Sequence, residues 1–262
     1  MKYVKLGKTD IDVSVLSLGC WAFAGGKIWG EQNDRDSIKT VDAALELGIN
    51  FLDTAPAYGS GYSECVIGKA LKGKRDKAVI ATKVVYAACE PDKMIESCET
   101  SMKNMQTDYI DLLYVHWPNM QVPFADTMEG LENLKKQGKI RAAGICNFGL
   151  KQMGMLEDTG KFDLLEVHQL PYNLFWRAIE YGIQQKCIEK GLGIVCYSTL
   201  AQGLLSGRYN SIADVPDNLK VSRFYKDPEG KVHGGSGCEK EGICSVAAVI
   251  SKTIRNGRNN GY

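Results

Sequence analysis

The chain has 262 residues, 44% of them apolar, and its 32 Lys and Arg against 31 Asp and Glu leave a formal charge of +1. That balance argues against a broad electrostatic footprint for nucleic acid or an anionic membrane surface, and the length suits two small domains or one α/β barrel of about 250 residues. Nine scattered cysteines without a C-x-x-C pair, and only three histidines, argue against a disulfide framework and against a metal site, and for reduced thiols in a cytoplasmic protein. The opening MKYVKLGKTDIDV has no apolar h-region and no run of about eighteen apolar residues occurs, so neither a secretory signal nor a membrane span is expected.

In chain order, Tyr3–Leu6 and Ile11–Val13 around Gly7–Asp10 predict a hairpin, and Val13–Leu18 predicts the first strand proper. Asp36–Leu47 carries Ile38, Val41, Ala44 and Leu45 at helical spacing and is closed by Gly48. A strand over Ile49–Asp53 follows, then a Gly-rich loop and a helix near Glu64–Leu71. The alternation continues with strand Ala78–Thr82, helix Pro91–Met105, strand Tyr109–Val115 and a helix within Ala125–Gln137. Next come strand Ile140–Cys146, helix Leu150–Leu156, strand Phe162–His168, helix Arg177–Lys190 and strand Gly193–Tyr197. Strands alternating with helices predict right-handed βαβ units and a parallel sheet; periodicity alone leaves open a doubly wound sheet or a barrel. Ser211–Gly237 is rich in turn formers and charges, Ile243–Ile254 is an apolar helix or strand candidate, and Arg255–Tyr262 reads as a frayed end.

Polar residues fall where chemistry would need them. Asp53 ends one predicted strand, Lys83 and His116 end the next two, and Tyr58 lies in the loop just after Asp53. In a parallel barrel the C-terminal strand ends share one rim, where active sites sit. Singly, each residue is explained by capping, solvation or packing; four such accidents at successive strand ends are not. The set suits carbonyl reduction. A hydride reaching a carbonyl carbon leaves charge on oxygen that must be protonated. Tyr58 would be the acid, Lys83 would lower its pKa, Asp53 would hold Lys83, and His116 would orient the oxygen.

Ile49–Gly59 (INFLDTAPAYG) with Gly61-Tyr62-Ser63-Glu64, the Thr82-Lys83 strand end, and Asp108–Pro118 (DYIDLLYVHWP) resemble the aldo-keto reductase family. So do Gly138–Phe148 (GKIRAAGICNF), Glu166–Asn173 (EVHQLPYN) and Tyr197–Gly207 (YSTLAQGLLSG), in the family's order over residues 1–225. The resemblance implies an α/β fold, a (β/α)8 TIM-type barrel with an N-terminal hairpin, spanning 1–262 as a single domain with an atypical tail over 226–262. It implies NADPH as hydride donor, with NAD as the alternative, a small-molecule carbonyl or alcohol substrate, and no nucleic acid, membrane or metal partner; oligomerisation is left open. Carried over by position, Cys146, Asn147 and Gln169 belong to the nicotinamide carboxamide, Tyr197 stacks on the ring, and Ser198, Leu200, Gly203 and Leu205 lie along the pyrophosphate. Trp21 and Trp117 line the substrate mouth, with Phe23 and Trp29 as further aromatics there. No G-x-G-x-x-G follows a strand, so a Rossmann site is not expected.

Two departures stand out. Cys146 occupies a position where the family usually has serine, and the region after Tyr197 lacks the expected last helix, last strand and Arg-containing stretch for a 2′-phosphate, so the C-terminal barrel units read as incomplete or irregular. Arg255 and Arg258 are the candidates to replace that stretch. The alternatives to an enzyme are a cofactor-poor pseudoenzyme and a channel-subunit-like binding protein on the same barrel.

Overall fold

The computed structural model describes residues 1–209 and 212–220. In chain order the strands are β1 (Tyr3–Lys5), β2 (Asp12–Ser14), β3 (Ser17–Gly19), β4 (Phe51–Asp53), β5 (Val79–Val84), β6 (Ile110–Val115), β7 (Ile140–Cys146), β8 (Leu165–Pro171) and β9 (Gly193–Tyr197). The helices are α1 (Gly26–Trp29), α2 (Asp34–Glu46), α3 (Tyr62–Ala70), α4 (Pro91–Met105), α5 (Phe124–Lys136), α6 (Leu150–Glu157), α7 (Ile183–Glu189) and α8 (Asp217–Lys220). Packing divides the chain into two units. The first holds Met1–Gly25, Glu31–Leu170 and Ala178–Tyr197; the second holds Gly26–Gly30, Pro171–Arg177 and the described residues from Ser198 onward.

In the first unit, β3 to β9 form a seven-stranded sheet in sequence order, and the registers from β3 through β8 are parallel. Period-2 alternation sorts the side chains. Leu52, Ile80, Leu113 and Ile145 face one apolar cluster that also contains Val41, Ile67, Met94, Met128 and Leu131 from the helices. Phe51, Ala81, Leu112, Tyr114, Ala142, Cys146 and Val167 face a second cluster, joined by Val195 and Tyr197. A cluster that runs from β4 to β9 requires the sheet to curl on itself, as in a (β/α)8 barrel. Leu6, Ile11 and Val13 of the β1–β2 hairpin belong to that inner cluster. Gly7 in the hairpin turn has φ +57, and a Cβ there would lie 2.0 Å from the Glu166 carbonyl oxygen. Only glycine lets the turn press against β8 and β9 in this way.

Three predicted elements change. The strand expected over Val13–Leu18 is two strands, because Ser14 Oγ donates to the Leu16 carbonyl at 2.6 Å and the Val15 N–H bonds Lys2, breaking the run between hairpin and barrel. The strand expected from Phe162 begins at Leu165, since Phe162–Leu164 is a 3-10 turn. The helix expected over Arg177–Lys190 is a 3-10 turn (Ala178–Glu180) and α7, divided by Gly182 at φ 105. The candidate segment Ile243–Ile254, with Arg255 and Arg258, lies outside the described residues.

In the second unit, Ala201, Leu204, Tyr209, Val215 and Leu219 form a small core against which Ile28 and Leu205 pack. Asn218 Nδ2 donates to the Ile28 carbonyl at 2.5 Å, tying α8 to α1.

Candidate active site

The expected catalytic residues of the first unit converge. Asp53 is the last residue of β4, Lys83 the fifth of six in β5, and His116 the residue after β6. Lys83 and Asp53 both sit on inner-face positions, so the ammonium at 1% exposure is held by Asp53 Oδ1 at 2.6 Å and the Thr54 carbonyl at 2.7 Å. Tyr58 Oη lies 3.3 Å from the same nitrogen. Asp53 Oδ2 accepts from Gln169 Nε2 at 2.6 Å, so both carboxylate oxygens are engaged. Tyr58 stacks on Trp21 at 5.8 Å and meets the edge of His116 at 6.4 Å, and His116 stacks on Trp117 at 6.3 Å. Trp117 is exposed.

The loop that carries Tyr58 is locked from behind. Gly59 adopts φ +64, and a Cβ there would stand 2.9 Å from Ala24 Cβ. Ser63 Oγ accepts from Thr54 Oγ1 at 2.9 Å and donates to the Cys20 carbonyl at 2.8 Å. Glu64 accepts from Thr82 Oγ1 at 2.7 Å and from Asn104 Nδ2 at 3.0 Å. Thr54, Ser63, Glu64 and Thr82 are buried supports that the sequence motifs include without indicating a role for them. The signal was their position in and around the Gly61–Glu64 motif.

Electrostatics sharpen the picture and correct one expectation. Burial pushes the Tyr58 phenol up to about 12; Lys83 pulls the other way without overcoming it. The expected lowering of the Tyr58 pKa by Lys83 is therefore outweighed by desolvation. Burial alone would strip the charge from Lys83, but Asp53 and the neighbouring Tyr58 hold its pKa above the ordinary lysine value. His116 is lowered to about 4 by burial and then by Lys83, so it stands neutral near pH 7. Cys146 is raised to about 12 by burial and remains a thiol.

Cys146, Asn147, Gln169 and Tyr197 join this site. Asn147 follows β7 at φ 65, a left-handed position that asparagine tolerates. Its Nδ2 donates to the His116 carbonyl at 3.1 Å and to Cys146 Sγ at 3.0 Å, and its Oδ1 accepts from Tyr197 Oη at 2.7 Å. Cys146 Sγ donates to Gln169 Oε1 at 3.4 Å. After these bonds Gln169 keeps one N–H and one lone pair, and Asn147 keeps a lone pair. A carboxamide offers the complementary set, so these residues fit a nicotinamide amide.

Ser198, Leu200, Gly203 and Leu205 lie in the second unit and are described with it. The segment folds through left-handed backbone at Ser198, Ala201, Gln202 and Gly203. Ala201 N–H bonds the Ser198 carbonyl at 2.8 Å, and the N–H groups of Gly203 and Leu205 both bond the Leu200 carbonyl at 3.0 Å. Asn173, in the matched EVHQLPYN stretch, donates to the Ser198 carbonyl at 3.0 Å and shapes its own loop by accepting from Phe175 and Trp176. Among the described residues no three His, Cys, Asp or Glu side chains are grouped to hold a metal ion, and no helix is long and apolar enough to cross a membrane.

The model of the aldo/keto reductase family matches residues 15–249. The chain is 40% identical over 218 residues to the aldo-keto reductase YhdN of Bacillus subtilis (strain 168), covering 79% of this chain and 65% of that protein. It is 35% identical to the NADH-specific methylglyoxal reductase of Escherichia coli (strain K12), covering 79% of this chain and 70% of that one. A crystal structure of an aldo/keto reductase from Klebsiella pneumoniae in complex with NADP and acetate superposes with a TM-score of 0.71 at 30% identity, covering 79% of this chain and 70% of that chain. The chain thus spans about two thirds of the length of the relatives it matches.

Proposed function

The chain belongs to the aldo/keto reductase family, and from that membership we propose that it is an oxidoreductase that reduces aldehydes or ketones to alcohols, with Tyr58 as the general acid. The observation that carries the reading is the buried Lys83 ammonium, bound at once to Asp53 and to Tyr58 Oη. Asp53, Tyr58, Lys83 and His116 are the proposed catalytic residues. Cys146, Asn147, Gln169, Tyr197, Ser198, Leu200, Gly203 and Leu205 are the proposed cofactor contacts, and Trp21 and Trp117 border the substrate.

A bound reduced nicotinamide would supply the hydride. Tyr58 then gives its Oη proton to the oxygen left anionic on the substrate. A phenol at about 12 still transfers downhill, because an alkoxide is a base comparable to hydroxide, whose conjugate acid has a pKa of about 15.7. The phenolate that remains sits beside Lys83, whose ammonium offsets the new charge until solvent returns the proton. His116, neutral, donates a hydrogen bond to the carbonyl oxygen and fixes its direction. Asp53 keeps Lys83 charged and in place.

The substrate class is a small carbonyl compound, and a 2-oxoaldehyde is the first one to try, given the name of the Escherichia coli relative. NADPH is the proposed donor with NADH as the alternative; cytoplasmic location and one functional domain over 1–262 are part of the same reading. The test is oxidation of NADPH and of NADH by purified protein with methylglyoxal and with a generic aromatic aldehyde. Aldehyde-dependent turnover supports the proposal. Saturable cofactor binding by fluorescence without turnover would replace it with a binding protein, and no binding of either cofactor would make it a pseudoenzyme.

A further inference from the structure

Tyr114 stands on the inner face of β6, in the cluster that contains Leu112, Ala142 and Cys146. It is fully buried at 0% exposure, and its register partner on β5 is Lys83. Neighbouring strands lie about 4.8 Å apart, so the phenol and the tetrad lysine share one layer of the interior. The ring rests on Gly144, where a Cβ would come within 2.7 Å of Cδ1 and 2.9 Å of Cε1. Glycine at that place in β7 makes room for the tyrosine.

The hydroxyl is the anomaly. It is buried with no hydrogen-bond partner among the described residues. An unpaired buried hydroxyl is destabilising, and phenylalanine would fill the same space without that penalty. The groups acting on it are Asp53 and Cys146, which together with burial hold it protonated, so it is a donor. Each Asp53 oxygen already accepts one bond, from Lys83 and from Gln169, and a carboxylate oxygen has room for a second.

We propose that Tyr114 is a positioning residue for the tetrad, its hydroxyl holding a buried water that hydrogen-bonds the Asp53 carboxylate and steadies the Asp53–Lys83 pair. A buried water needs two to four polar partners. Tyr114 Oη and Asp53 supply two, and Cys146 Sγ is on the same inner face for a third. The titratable groups surrounding this layer are Asp53 on β4, Tyr58 after it, Lys83 on β5, Cys146 on β7, and Cys20 after β3, which feels both Asp53 and Lys83.

The kinetic part rests on the reduction proposed above; the water does not. A high-resolution crystal structure should show an ordered water within hydrogen-bond distance of both Tyr114 Oη and Asp53. In Tyr114→Phe that water should be absent, kcat should fall about three- to tenfold with KM for the aldehyde within about twofold, and the pH–kcat profile should shift, because the Lys83–Tyr58 pair behind it has lost a hydrogen-bonded support. A purely structural hydroxyl would change the melting temperature and leave the profile in place. A Tyr114→Phe protein with unchanged kcat and profile, or a wild-type structure with no water at that spot, overturns the proposal. If the wild type shows no turnover at all, the reductase reading fails, while the crystallographic water still decides the Tyr114 assignment.

Discussion

Two buried charges in the first unit obey the same physics at opposite ends of the strands. Near the N-terminal ends, Asp111 is 1% exposed and accepts from Arg141 Nη1 at 2.7 Å, Arg75 Nη2 at 2.7 Å and the Ile80 N–H at 2.9 Å. Arg75 is itself held by the Ala78 and Tyr109 carbonyls and lies over the Tyr109 ring. Near the C-terminal ends, Lys83 is equally buried and equally paired. The difference is where each network stops. Asp111 ends on guanidinium groups that do not give up protons in the working range. Lys83 ends on Tyr58, which can exchange a proton and stands beside the half-buried His116 at the opening. A buried ion pair alone therefore does not point to a site; one that ends on a reachable group able to hand over a proton is the stronger candidate.

The largest effect should come from the open end. Tyr58→Phe should lower chemistry-limited turnover by about 100- to 10,000-fold, with cofactor affinity and melting temperature nearly intact. Retention of more than about a tenth of wild-type turnover would remove Tyr58 as the acid. The closed end should give the opposite signature. Asp111→Ala should cost about 3–5 kcal/mol of stability, because Arg141 can turn its half-exposed side chain to water but the largely buried Arg75 is left without its carboxylate. Turnover per folded molecule should not change; urea unfolding with parallel active-fraction assays checks this. A Asp111→Ala protein of normal stability and low turnover would collapse the distinction between the two ends.

Titration should sharpen the reading of the open end. His116 at about 4 and the fully buried His168 at about 3 both have folded pKa values depressed by burial. With unfolded values near 6.5, their contribution to stability is complete above that pH and is lost as pH falls through about 4 and about 3. Each should steepen the decline by about 1.4 kcal/mol per pH unit below 6.5. His116→Gln should remove one proton's share of that slope in urea melts at pH 6, 5 and 4. Since His116 is neutral throughout the ordinary working range, the pH–rate profile should carry no histidine limb above about pH 5. A limb between pH 6 and 7 that vanishes in His116→Gln would show that the imidazole acts in its charged form.

Much of this was readable because it is local. Pro91–Met105, with proline in its first turn, and the strands Ile140–Cys146 and Gly193–Tyr197 carry their own local signals, and their bounds coincide with the structure. The convergence of Asp53, Tyr58, Lys83 and His116 was readable because polar residues at successive strand ends are conspicuous. What failed was set by distant partners. Val15 and Leu16 read as strand, yet the Val15 N–H is taken by Lys2 across the hairpin. Gly182 breaks the helix expected through it, where a Cβ would meet Leu150 Cδ1 at 2.9 Å. Tyr114 was invisible among the apolar residues of YIDLLYV, because nothing in a strand's own sequence says whether a hydroxyl will find a partner. The sign of the Tyr58 shift was missed for a similar reason: the lysine can be read from the chain, and the extent of burial cannot.

The smallest expected effect lies at Cys146, at the C-terminal end of β7. Its thiol is held neutral by burial and makes two weak bonds, donating to Gln169 Oε1 at 3.4 Å and accepting from Asn147 Nδ2 at 3.0 Å. A serine hydroxyl is the stronger donor, and the Cys146↔Gln169 register keeps the partner opposite whichever residue is present. One neutral hydrogen bond strengthened at a buried place is worth about 0.5–1 kcal/mol, or about two- to fivefold in an equilibrium constant. Cys146→Ser should therefore orient Gln169 and Asn147 more firmly and tighten NADPH binding by that factor, measured by fluorescence titration, with kcat little changed. Tighter folding with unchanged cofactor affinity would mean that Cys146 only braces two strand ends. Weaker binding would mean that sulfur's volume, and not its hydrogen bonding, is what holds the two amides in register.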